Sequence, residues 1–148
     1  MSDIVHVTLT QQQGYQFLID FGAAMPTLLA DEPPPLGEDS GPSPAHLLVA
    51  AAANCLLASF LFALSKYKQD AGQLTAEARC EVGRNAEGRM RVLSIDVVLR
   101  LGKVATEIEH LDRILGQFEP FCTVSQSISA GVPVHVSVRD GRDTVLKD

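Results

Sequence analysis

The chain has 148 residues, 46% of them hydrophobic and 20% charged, with 18 acidic against 12 basic residues and a net charge of −6. That length suits one domain over residues 1–148, large enough to bury a core without staples. A net acidic chain without a basic stripe argues against nucleic acid as a partner, and three cysteines are too few for a secreted disulfide framework.

The first 13 residues alternate polar and apolar and lack a basic segment followed by an apolar one, so no signal peptide and a cytoplasmic location are expected. Residues 4–10 place Val5, Val7 and Leu9 on one side; residues 11–14 read as a turn; residues 15–21 place Tyr15, Phe17, Ile19 and Phe21 on one face. Together they predict a hairpin. Six of the eight prolines fall in or near residues 31–44. Proline lacks the donor that sheet and helix interiors need, so this is an extended loop. It serves either as a connector or as a wall or lid beside a site.

Ser43 is suited to cap a helix and Pro44 to its first turn. The helix is predicted to run to about residue 67 or 68, with Lys66 and Lys68 matching its C-terminal dipole. Residues 47–64 are an uncharged run of 18, close to the length of a membrane span. The run is rich in alanine, carries Asn54 and Ser59, and has no counterpart elsewhere. A buried core helix is therefore expected, and no membrane partner.

Residues 74–82 alternate, with Leu74, Ala76, Ala78, Cys80 and Val82 on one face. Residues 83–88 are a turn. Leu93, Ile95, Val97, Leu99 and Leu101 then keep a strict period of two, which predicts a second hairpin with one wet face. Thr106 with Glu109 reads as a capping box ahead of a stripe made by Ile108, Leu111, Ile114, Leu115 and Phe118. Pro120 interrupts it. A short helix opens at Cys122 and ends near Gly131, and Val132, Val134, Val136 and Val138 form a last strand. Strands, long helix, strands, helices and strand make an α+β order.

A thiol reacts as its thiolate, which is a small fraction at neutral pH. Cys122, at a helix start, has a local reason to ionise. Cys55, mid-helix among alanines, has none, and composition alone reads it as core. Cys80, on the inward face of its strand, is expected to be packing. His6, His110 and His135 fall on wet faces. With the cysteines they give no zinc spacing, so neither metal nor cofactor is expected.

Two segments carry a resemblance. Gly41-Pro42-Ser43-Pro44-Ala45-His46-Leu47-Leu48-Val49-Ala50-Ala51-Ala52-Ala53-Asn54-Cys55 resembles the central-helix signature of the OsmC/Ohr family, the osmotically inducible and organic hydroperoxide resistance proteins. Phe121-Cys122-Thr123-Val124-Ser125, followed by Gly131-Val132-Pro133-Val134, is similar to that family's second cysteine motif. The order of elements fits over nearly the whole chain. The resemblance implies antiparallel sheets packed around a long central helix in an intertwined homodimer. It also implies that Cys55 is the peroxidatic thiol, attacking an organic hydroperoxide. Cys122 would then resolve the sulfenic acid to a disulfide that a dithiol reductant reopens.

The chain departs from that pattern at two positions. Peroxidase members carry a glutamate directly after the helix-starting proline and an arginine in the N-terminal region. Here Ala45 stands in the first place, and no arginine precedes Arg79. Losing such an electrostatic partner commonly costs about a hundredfold in rate. Candidate substitutes are His46, the carboxylates of Asp31 and Glu32, and Arg79, Arg84, Arg89 or Arg91. His46 is nine residues from Cys55, roughly on the opposite helix face, and also reads as a polar helix-start residue. Three functions follow as expectations: a thiol peroxidase preferring organic hydroperoxides, because Cys55 has apolar surroundings; a non-catalytic dimer that senses redox state or binds a small apolar ligand; or a structural module with both cysteines in the core.

Overall fold

The computed structural model describes residues 2–148. In chain order the elements are β1 (Thr8–Gln11), β2 (Phe17–Asp20), β3 (Leu28–Ala30), α1 (Pro44–Lys66), β4 (Thr75–Arg84) and β5 (Met90–Arg100). A 3-10 turn (Ala105–Glu107), α2 (Leu111–Gln117), α3 (Thr123–Ile128), β6 (Val134–Arg139) and β7 (Val145–Lys147) complete it. The class is α+β, as the sequence indicates. Two compact units divide the chain, one through Leu48 and one over Val49–Asp148, with the boundary inside α1.

In the first unit β1, β2 and β3 form an antiparallel sheet in that order. The expected hairpin is present but shorter. It begins at Thr8, so Ile4 and Val5 stay exposed. It ends at Asp20, whose carboxylate accepts the Gly22 amide while Gly22 turns the chain at φ +120°. A side chain at Gly22 would be strained there.

The proline-rich segment is an ordered loop closed on one buried carboxylate. Asp31 accepts the amides of Glu32 at 2.8 Å and of Glu38 and Ser40 at 3.1 Å. These bonds, the one from Ser40 foremost, hold its carboxyl below the usual range. Ser43 then caps α1. Its hydroxyl accepts the His46 amide at 3.4 Å, and its own amide donates to His46 Nδ1 at 3.2 Å. His46 thus fills the place of the glutamate in a capping box. It is a helix-start residue, with its ring committed to Ser43.

The helix α1 packs into the core along one face. Within this chain only Ala52, Leu56, Phe60, Ala63 and Leu64 are buried, a single stripe at helical spacing. Leu61 and Phe62 are each 59% exposed. By length and composition the helix is apolar enough to cross a membrane, a test that core helices also pass.

The second unit carries a sheet in the order β4-β5-β6-β7. The all-antiparallel expectation fails at one join: β5 and β6 run parallel, in register from Ile95↔Val134 to Arg100↔Arg139. A parallel join needs a long crossover, which α2 and α3 supply. The period-two face of β5 is the core: Ile95, Val97 and Leu99 are buried with Val136 and Val138. Its wet face carries ion pairs, Arg79 with Asp96 and Arg100 with Glu77, both at 3.6 Å. The Thr106–Glu109 capping box does not form. The amide of Ala105 goes to Asp140 and that of Glu109 to Gln69, so the α-helix starts only after His110, in the left-handed conformation. Gln69 thus takes the Glu109 amide that the Thr106 hydroxyl would have accepted.

Candidate functional site: a buried and a half-buried thiol

The site is built by packing the corner between α2 and α3 onto α1. Pro120 stops the second helix, and the chain turns through Cys122, which sits at the N-cap of α3. Two anchors hold the corner. The Ser59 hydroxyl, one turn beyond Cys55 on α1, donates to the Phe118 carbonyl. Phe60 meets the Phe118 ring edge-on with centroids 5.0 Å apart. From the other side Lys147 of β7 pairs with Glu119 at 3.0 Å, donates to the Leu115 carbonyl at 3.1 Å and lies 5.2 Å over the Phe118 ring.

This packing brings Cys55 and Cys122 side by side. The Val124 amide, two residues beyond Cys122, donates to Cys55 Sγ at 3.5 Å, which sets the two cysteines next to each other. Both are free, as is Cys80. Their surroundings differ: Cys122 has no exposed surface, whereas Cys55 is half-buried. Burial pushes the Cys122 thiol up, against the Ser125 hydroxyl and amide, which pull it down, and the neighbouring Cys55 raises it further. The sequence expectation that a helix start would activate Cys122 is therefore reversed. α3 has six residues and a small dipole, and desolvation outweighs it. Ser125, missed in the sequence, is 3% exposed, and its Oγ makes no hydrogen bond of ordinary geometry.

Among the described residues no arginine, lysine or histidine hydrogen-bonds either sulfur. Arg79 is paired with Asp96, while Arg84 and Arg91 donate to carbonyls of their own hairpin, Gly88 and Met90. Asp31 spends both carboxylate oxygens inside its loop. Cys80 is half-buried on β4, and its thiol too is raised by burial, consistent with packing. His6, His110 and His135 are exposed. Among the described residues no cluster of three or more histidine, cysteine or acidic side chains is placed to hold a metal.

A family model described as OsmC-like protein matches residues 37–137. Solved structures share the fold at low identity. The OsmC like protein from Mycoplasma pneumoniae is 14% identical with a TM-score of 0.78, over 95% of this chain and 99% of that one. An organic hydroperoxide resistance protein from Elizabethkingia anophelis is 18% identical with a TM-score of 0.74, over 95% and 99%. The organic hydroperoxide resistance protein OhrB of Bacillus subtilis is 15% identical with a TM-score of 0.70, over 93% and 98%. No curated protein matches the sequence at a significant level.

Proposed function

The chain belongs to the OsmC-like protein family, and from that premise we propose that it is a thiol-dependent peroxidase reducing organic hydroperoxides through Cys55 and Cys122. One observation carries the reading: a half-buried thiol lies beside a fully buried one. Cys55 attacks the peroxide O–O bond as its thiolate, becoming a sulfenic acid and releasing an alcohol. The Cys122 thiol condenses with it, giving a disulfide and water, and a dithiol reductant restores both thiols by exchange. The Val124 amide is a donor at the Cys55 sulfur. The apolar run in which Cys55 sits, from Leu47 to Leu64, favours an alkyl-substituted peroxide over hydrogen peroxide. Names of structural neighbours as organic hydroperoxide resistance proteins support this substrate class.

The working unit in this proposal is a homodimer in the cytoplasm. The exposed apolar side chains of α1, Leu61 and Phe62, are the support for a second copy. The family match runs across the boundary between the two units, which supports a single functional domain over the whole chain.

One observation favours a second reading. Among the described residues no cationic side chain hydrogen-bonds either sulfur, and weak thiolate stabilisation suits a non-catalytic dimer that senses redox state or holds a small apolar ligand. Stopped-flow mixing with cumene hydroperoxide separates the two. The peroxidase consumes hydroperoxide far faster than free cysteine does and ends with a Cys55–Cys122 disulfide in mass spectrometry. Cys55→Ala abolishes this, and Cys122→Ala halts at the sulfenic acid. A rate equal to that of free cysteine leaves the second reading standing.

A further inference from the structure

Ser125 is a buried polar group that the proposed chemistry has not used. It lies one turn beyond Cys122, 3% exposed, with a hydroxyl that finds no partner of ordinary geometry. Buried hydroxyls are rarely left so. The sulfur beside it is itself fully buried. We propose that Ser125 is the positioning residue of Cys122, its hydroxyl being the donor kept for the thiolate that Cys122 becomes during turnover. A neutral thiol is a poor acceptor and leaves the hydroxyl idle; a thiolate is a strong one and has no water to turn to. The opposing influences on Cys122 agree with this, burial raising its pKa and Ser125 lowering it.

The inference rests on the proposed redox pair, and it acts in two steps. In the first, the Cys122 thiolate attacks the sulfenic sulfur of Cys55, the S–S bond forms, and hydroxide leaves with the released proton as water. In the second, a dithiol attacks the more accessible Cys55 sulfur. The S–S bond breaks, and its electron pair stays on Cys122 as a thiolate. Its second thiol then displaces Cys55, leaving the reductant oxidised to its own disulfide. Ser125 favours Cys122 as nucleophile in the one step and as leaving group in the other.

The test uses the full chain and the variants Ser125→Ala and Ser125→Thr. The Cys122 pKa is followed by thiolate ultraviolet absorbance in a Cys55→Ser, Cys80→Ser background. The Cys55–Cys122 disulfide is made with diamide, and its reduction by dithiothreitol is timed in the otherwise unaltered chain. Ser125→Ala is expected to raise the Cys122 pKa and slow disulfide reduction about ten- to hundredfold, the range for one hydrogen bond to a charged group. Ser125→Thr is expected to restore both. With cumene hydroperoxide, Ser125→Ala should also accumulate a dimedone-trappable sulfenic acid on Cys55. An unchanged pKa in Ser125→Ala, or equal losses in both variants, overturns the inference and leaves Ser125 as packing. Failure of the hydroperoxide reaction alone, with the pKa and exchange effects intact, counts against the peroxidase reading and not against the role of Ser125.

Discussion

Cys122 is a thiol that the fold keeps protonated. Burial holds its proton beyond the pH at which an unfolded chain would release it. In that window the native state binds the extra proton, so this contribution to stability is complete below the ordinary thiol pKa and is lost as pH rises through the native one. Cys80 adds a contribution of the same sign, again from burial. Urea unfolding followed across alkaline pH should show stability falling, and Cys122→Ala should flatten that slope. Iodoacetamide should modify Cys55 in the native chain and reach Cys122 only on unfolding, as peptide mapping would show. At this scale the sequence was informative about identity and poor about environment. The two cysteine motifs singled out Cys55 and Cys122, the residues on which the proposed chemistry rests. A helix start alone predicts the wrong sign for Cys122, because its burial comes from packing against α1, which is distant in sequence. Ser125 carried no signal, since a serine in a short polar helix is ordinary until its hydroxyl is found buried.

The element that decides the site is the corner between α2 and α3. It is anchored at Phe118 by Ser59 and Phe60 of α1, and by Lys147 of β7. Phe118→Ala should cost about 3–5 kcal/mol, the usual range for emptying a buried phenylalanine site, measured by chemical denaturation. It should also slow formation of the Cys55–Cys122 disulfide. Lys147→Met keeps the stem and removes the ion pair. Its expected cost is smaller, about 1 kcal/mol, since the charge is partly solvated. Long periodic elements were legible. α1 begins at Pro44 as its cap predicts, and the strict alternation of β5 is the core face seen in the sheet. Short ones were not: β3 and β7 have three residues each, too few to show a period. The Thr106–Glu109 cap was lost because Asp140 and Gln69 hold the amides around it. Asp140 arrives from a loop some thirty residues later, beyond any local window.

For the whole molecule, α1 leaves a question of partnership. Leu61 and Phe62 stay exposed, Phe121 is exposed beside the site, and Lys66 lies 4.9 Å over both the Phe62 and Phe121 rings. Sedimentation at micromolar concentration should give a dimer, and the pair Leu61→Glu and Phe62→Glu should shift it to monomer. The sequence made α1 a core helix because it is apolar on most sides, and the stripe from Ala52 to Leu64 is buried while Leu61 and Phe62 are left exposed. The unequal depth of the two sulfurs has a kinetic consequence for the proposed chemistry. With Cys122 sealed from solvent, the oxidant and the reductant must use the same port, the Cys55 sulfur, and cannot occupy it together. Turnover should then follow ping-pong kinetics, with double-reciprocal plots parallel. Each substrate in excess should inhibit by capturing the form of the protein meant for the other.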